Sequence, residues 1–214
     1  EQFEQRLLLT VGISPVSEAM PIAQIRLELS DLAGQPISSA QAGEEFFLNA
    51  YVADLRSEPK GVFAAYFDLA FDAARVVPAG DVEFGSVYKN GLGNGGSVPG
   101  LLDEVGGFSG IRPLGAGDCL LFRAPFRAEA AGTVSFVAEP ANLMPDSEVL
   151  LYGQNGPLAS DKIHFGSVSL NVLGPRNSAQ EHALSPAAGF FEIGNSDPSS
   201  PPGGYDSPEV PIFL

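Results

Sequence analysis

Between Ala23 and Leu173 the apolar residues of this chain recur mainly at every second position, and no stretch sustains the 3.6-residue spacing of a helix. A strand turns successive side chains to opposite faces, so this period specifies half-buried strands. In AQIRLELS, Ile25, Leu27 and Leu29 alternate with Gln24, Arg26 and Glu28, and the DLAGQPIS that follows supplies turn chemistry. Further runs, each bounded by Gly, Pro, Asp or Asn, repeat the pattern. The sequence therefore predicts an all-β fold with very little helix: an antiparallel β-sandwich spanning 21–175.

The phase of each run predicts what it buries. EEFFLNAYVADL places Phe46, Leu48, Ala50 and Val52 on one face and Phe47, Asn49 and Tyr51 on the other. GVFAAYFDLAFD sends Phe63, Ala65, Phe67, Leu69 and Phe71 inward, with Val62, Ala64, Tyr66, Asp68 and Ala70 facing away. CLLFRAPFRAE turns Leu120, Phe122, Ala124 and Phe126 inward, and Arg123 and Arg127 outward. ARVVPAGDVEFG, GTVSFVAEP, EVLLYG and IHFGSVSLNVL complete the set, with Gly166 as a bulge that resets the alternation in the last. From Gly85 to Gly110 glycine is too frequent for regular sheet, which predicts a long surface loop with one short ordered piece near Leu101 to Val105.

The two ends have a different character. Residues 1–20 form a short leader or first strand whose Arg6 to Leu9 cluster is too short to span a bilayer. Beyond Leu173 stretches such as SSPPGGYDSPEVP cannot bury enough apolar surface to fold, which makes 176–214 a disordered acidic tail. No apolar run approaches the roughly 18 residues of a membrane helix, so no membrane insertion is expected.

Charge and residue inventory exclude several classes of function. With 26 acidic against 11 basic residues the net charge is −15, which repels a phosphate backbone and excludes nucleic acid as a partner. The single cysteine, Cys119, cannot form an internal disulfide and opens an apolar strand, so it reads as a small, partly buried hydrophobe. His164 and His182 lack carboxylates or cysteines at ligand spacing, and no nucleophile elbow, P-loop or dinucleotide fingerprint is present. GLGNGG at Gly91 to Gly96 reads as a flexible loop, and Asp103 with Glu104 as loop solvation. The chain is not expected to be an enzyme and needs no cofactor, calcium being the one ion that loop carboxylates of an extracellular sandwich leave open. What remains is surface recognition. Asn49, Tyr51, Tyr66, Asp68, Arg123 and Arg127 form a candidate partner-binding set if their strands are neighbours, and ordinary sheet surface accounts for them equally well.

The order of segments resembles the cohesin domains of bacterial scaffolding proteins, specifically the cohesin-like modules of planctomycetes. The resemblance covers Ile22 to Leu173 and rests on AGEEFFLNAYVADL followed by GVFAAYFDLAFDAARV, then LLFRAPFRAEAAGTVSFVAEP and the closing GSVSLNVL. Phe3 to Leu9 is similar to the Leu-Glu-Pro-Arg-x-Leu-Leu signature of exported planctomycete proteins, with Phe3 in place of Leu and Gln5 in place of Pro. The resemblance implies a jelly-roll, cohesin-like sandwich of roughly nine strands in a secreted or cell-surface bacterial module, which binds a dockerin-like partner, a small calcium-loaded helical domain, on one flat sheet face. It assigns no recognition residue one to one; the six residues above come from strand phase alone. Two other readings stand beside it: polysaccharide binding on the same sandwich, which the lack of Trp disfavours, and self-assembly through a sheet edge into a surface filament.

Overall fold

In the computed structural model, which describes residues 20–92, 97–142 and 149–175, the alternating runs form two stacked sheets. Apart from Met20, the leader lies outside the described residues, as does the tail from 176 onward. In chain order the strands are β1 (Ala23–Ser30), β2 (Ser39–Gln41), β3 (Glu45–Asp54), β4 (Val62–Ala70), β5 (Val76–Pro78), β6 (Glu83–Phe84), β7 (Asn90–Leu92), β8 (Ser97–Val98), β9 (Leu101–Phe108), β10 (Cys119–Ala128), β11 (Gly132–Pro140), β12 (Val149–Leu151), β13 (Ile163–Phe165) and β14 (Ser167–Leu173). The only helical piece among the described residues is a single 3-10 turn at Ser160–Lys162.

The first sheet runs β13-β1-β3-β10-β5, with β6 also on β10; the second runs β2-β14-β11-β4-β9-β7, with β12 on β4 and β8 on β9. Most pairings are antiparallel, as expected, but β1 with β13 and β2 with β14 are parallel, so both sheets are mixed. The closing strand begins in the first sheet and ends in the second, and at the crossing the Gly166 N–H donates to the carbonyl of Ile25 at 2.9 Å. A Cβ there would lie 2.7 Å from that same oxygen, so only glycine permits the approach. The residue expected to be a bulge is the point where the chain changes sheets.

Between the sheets lies a phenylalanine cluster. Phe126 of β10 stacks on Phe46 of β3 at 6.0 Å and meets Phe71 and Phe136 edge-on at 5.0 Å each, while Phe67 stacks on Phe122 at 5.6 Å. Offset and edge-on contacts of this kind contribute about 1 kcal/mol each beyond area burial.

Three details of phase differ from the alternation. The β4–β12 pairing slips around Phe63, so Val62 enters the core and Phe63 turns to the outer face. The β10–β3 pairing slips between Leu120 and Phe122, so Leu121 fills the core position expected for Leu120, which is half-buried. The third concerns the glycine-rich stretch: Leu101–Phe108 is a central strand of the second sheet, not a short piece in a loop. Gly106 and Gly107 hide its period because they have no side chains. The sheet needs glycine there, since a Cβ on Gly106 would lie 2.0 Å from the carbonyl oxygen of Ala65 on β4.

Candidate functional site

Each sheet presents an outer face, and the six residues singled out by strand phase divide between them. Asn49 and Tyr51 on β3 and Arg123 and Arg127 on β10 share the first sheet, with Arg123 in register with Asn49. Tyr66 and Asp68 lie on β4 in the second sheet. The six therefore do not make one surface.

The face of the first sheet is closed upon itself. Arg26 lies 4.5 Å over the Tyr51 ring, donates to Asp118 at 2.8 Å and pairs with Glu28. Arg123 lies 4.6 Å over Phe47 and donates to Glu83 through Nε at 2.8 Å and Nη2 at 2.6 Å. Arg127 pairs with Glu129 at 2.7 Å, and the Asn49 amide donates to Ser30 Oγ at 2.9 Å. A partner here would have to displace contacts that already satisfy each cation.

The face of the second sheet is built differently. Asp68, expected to be exposed, is only 3% exposed. Its carboxylate accepts the Glu104 backbone N–H at 2.9 Å and the Asn142 amide at 2.8 Å. Glu104 holds a left-handed backbone, φ 50°, at the point where the β4–β9 register slips between Phe67 and Leu69, and that slip aims its N–H at Asp68. Glu139 on β11 is in direct register with Asp68, and Asp103 on β9 is close enough for its charge to act on it. Three carboxyl groups thus cross three strands in a row, and among the described residues no lysine or arginine pairs with them. Burial pushes the Asp68 carboxyl above the usual carboxylate range; the Glu104 N–H opposes this, and the charges of Asp103 and Glu139 add to it.

Further along the same face Phe63 and Phe108 lie 6.2 Å apart, and Tyr152 meets Phe63 edge-on at 5.4 Å. Phe108 is 40% exposed. The patch is held from below. Tyr152 OH donates to the carbonyl of Gly110, and Ser109 Oγ, 2.7 Å from Tyr152 OH, bonds the carbonyl of Phe63 at 3.0 Å. Arg56 Nη2 donates to the Tyr152 carbonyl at 3.0 Å and to the buried Asp54 carboxylate at 2.6 Å. Asp54 also accepts the backbone N–H groups of Arg56, Lys60 and Gly61, which fixes the loop between β3 and β4.

Strand phase did not identify Phe63, Phe108, Asp103, Glu139 or Asn142. Alternation places Phe63 in the core because the slip is invisible in the sequence, and Asp103 and Phe108 fall in the stretch whose glycines read as loop. Cys119 is half-buried against the core, and burial, followed by the charge of Asp118, raises its thiol pKa, consistent with a packing role. Among the described residues no group of three or more His, Cys, Asp or Glu is placed to hold a metal ion, and no helix is long and apolar enough to cross a membrane.

No protein-family model matches the sequence, and no match is found among curated proteins. Solved structures do match. A type II cohesin domain from the cellulosome of Acetivibrio cellulolyticus superposes with a TM-score of 0.51 at 13% identity, over 71% of this chain and 96% of that one. The seventh ScaB type I cohesin of Pseudobacteroides cellulosolvens gives a TM-score of 0.49 at 16% identity, over 74% and 97%. The type I cohesin–dockerin complex Coh-OlpA–Doc918 from Clostridium thermocellum gives 0.47 at 13%, over 70% and 99%. With its two stacked sheets and a likeness that spans nearly the whole of the Acetivibrio domain, this chain has a cohesin-like β-sandwich fold.

Proposed function

We propose that the chain is a non-catalytic protein-binding module of cohesin type that acts outside the cell and docks a dockerin-like helical partner on the outer face of the second sheet. The observation that carries this reading is the contrast between the two faces. One is laced by internal ion pairs and cation–π contacts; the other combines an exposed phenylalanine with a row of carboxyl groups that no described cation neutralises. Aromatic anchors beside uncompensated charge are the composition of a recognition surface, and a partner that supplies the missing cations removes the repulsion on binding. The cohesin-like fold supports the same reading.

The test is a pull-down from culture fluid and cell envelope with the full-length chain as bait, washed in parallel with calcium or a chelator. The expected result is retention of a helical protein that the chelator releases, lost with Phe108→Ser and kept with Tyr51→Ala and Arg123→Ala. A central aromatic anchor is worth about 2 kcal/mol or more, so Phe108→Ser should weaken binding roughly 30-fold. Loss with Arg123→Ala alone would move the interface to the face of Asn49, Tyr51, Arg123 and Arg127. Recovery of polysaccharide, or of the bait's own copies, would replace the reading with sugar binding or self-assembly.

A further inference from the structure

The dipeptide Asn-Gly occurs at two described positions, and the fold treats the two oppositely. Asn90 and Gly91 lie in β7, in register with Phe108 and Gly107 of β9, and a Cβ on Gly91 would lie 2.2 Å from the Phe84 ring. Asn155 and Gly156 lie in a bend between β12 and the 3-10 turn, with Asn155 exposed. Ties fix the chain on both sides of that bend. The Tyr152 N–H donates to the Gly61 carbonyl and the Gln154 N–H to the Leu151 carbonyl, each at 3.1 Å, and the Leu158 N–H donates to the Val149 carbonyl at 2.9 Å. Between the ties, neither the Asn155 amide nor the Gly156 N–H has a hydrogen-bond partner among the described residues. Chain neighbours apart, nothing lies within 4 Å of where a Cβ on Gly156 would stand.

Glycine lacks the side chain that would shield its backbone nitrogen, and its backbone turns more freely than that of any other residue. We propose that Asn155 is a deamidation site, converted to aspartate and isoaspartate in the folded protein through a cyclic imide with Gly156. The Gly156 nitrogen attacks Cγ of Asn155, and the new N–Cγ bond closes the ring. The Cγ–Nδ2 bond breaks, and Nδ2 leaves as ammonia with the proton that the Gly156 nitrogen gives up. Water then opens the imide. Addition at Cγ restores the ordinary peptide bond and leaves aspartate; addition at the main-chain carbonyl carbon leaves isoaspartate, with the main chain running through Cβ and Cγ. No group is oxidised or reduced. Ring closure requires the Asn155–Gly156 peptide to turn until its nitrogen reaches Cγ. In the bend that rotation breaks no hydrogen bond among the described residues, whereas in β7 it would break the pairing with β9. Either product adds a carboxylate to a chain already at net charge −15, in the loop that follows Tyr152, the ring that backs Phe63.

The test incubates the full-length chain at mildly alkaline pH in oxygen-18 water, folded and in urea, and follows each Asn-Gly site by peptide mapping. Asn94, which precedes Gly95 outside the described residues, is mapped separately. In the folded chain Asn155 should convert at least roughly tenfold faster than Asn90, which reacts only while β7 is open. In urea the two should convert at similar rates. The products at position 155 should include isoaspartate as well as aspartate, each with one oxygen-18. Gly156→Ala has open space and no left-handed φ to oppose it, so it should leave the fold intact and slow conversion at Asn155 roughly tenfold by shielding the attacking nitrogen. Equal rates at Asn155 and Asn90 in the folded chain would overturn the proposal, and a difference that persisted in urea would trace it to neighbouring sequence instead of the fold. Aspartate without isoaspartate, or a rate unchanged by Gly156→Ala, would also overturn it, since either means direct hydrolysis of the amide without ring closure.

Discussion

Asp68 on β4 and Glu139 on β11 stand directly opposite each other on the outer face of the second sheet, and the charge of Asp103 on β9 also acts on Asp68. Like charges at directly paired positions destabilise a sheet by a few tenths of a kcal/mol to about 1. A surface carrying them gives up stability, which fits a surface shaped for something other than folding.

Removing one charge should therefore stabilise the isolated protein. Glu139→Gln is expected to raise the unfolding free energy by about 0.5 kcal/mol at pH 7. Glu139→Ala, which also removes the charge, should show a gain of the same sign. Urea titrations at pH 7 read the difference, and a variant less stable than the parent would show that the row is compensated.

The two buried aspartates should act in opposite directions as pH falls. Burial would raise the Asp54 pKa, but the Arg56 side chain and the N–H groups of Lys60, Arg56 and Gly61 outweigh it and hold the carboxyl at about 2, against an ordinary 3.8. A depressed pKa gives stability that is present above the unfolded value and lost as pH falls through the folded one. Asp54→Asn should cost about 3 kcal/mol at neutral pH, because it strands Arg56 and breaks the loop. The gap between variant and parent should close between about pH 4 and about pH 2. For Asp68, whose pKa is raised, the sign reverses: its contribution is complete below the unfolded pKa and lost as pH rises through the folded one. A gap that persisted unchanged below pH 2 would remove Asp54 from the account.

Which parts of this were legible in the sequence follows from what alternation encodes. β1 and β3 carry a side chain at every position, so Ile25, Leu27, Leu29, Phe46, Leu48, Ala50 and Val52 could be assigned inward, and all are buried. β9 could not be read, because Gly106 and Gly107 have no side chains to alternate. Period two also gives a face and not a depth. Alternation puts Asp68 on the outer face, where it does lie, but it is covered there by groups 36 and 74 residues away in sequence, Glu104 and Asn142. Likewise, phase put Arg123 and Tyr66 both outward without saying that they lie on different sheets.

The tight β4–β9 contact gives a local prediction. A methyl at Gly106 would lie 2.0 Å from Ala65 O and 2.7 Å from the Tyr66 Cα, so the backbone itself must move. Gly106→Ala should cost about 3 kcal/mol, the upper end of overpacking effects. In hydrogen exchange its effect should concentrate on the β4–β9 amides and spare β1–β3. Gly34→Ala is the control: that residue has open space around it and a φ of 81°, so only backbone strain opposes the substitution. That strain should cost no more than about 1–2 kcal/mol.

Phe126 joins the two sheets more directly than any residue of either outer face. From β10 in the first sheet it contacts Phe46 within its own sheet, and it also meets Phe136 on β11 and Phe71 just beyond β4, both in or beside the second. It is fully buried, so Phe126→Ala forfeits transfer free energy and leaves a cavity that three neighbouring rings cannot fill without moving. The expected loss is about 4 kcal/mol. With no disulfide among the described residues to hold the sheets together, that loss should fall on the whole sandwich at once. Urea unfolding followed by tyrosine fluorescence and by far-ultraviolet circular dichroism should then give coincident transitions at a lower midpoint. Arg123→Ala, which removes an exposed ion pair and a cation–π contact, should shift the midpoint by no more than about 1 kcal/mol. Comparable losses for the two variants would mean that the sheets are held together as much by their outer faces as by the phenylalanine core between them.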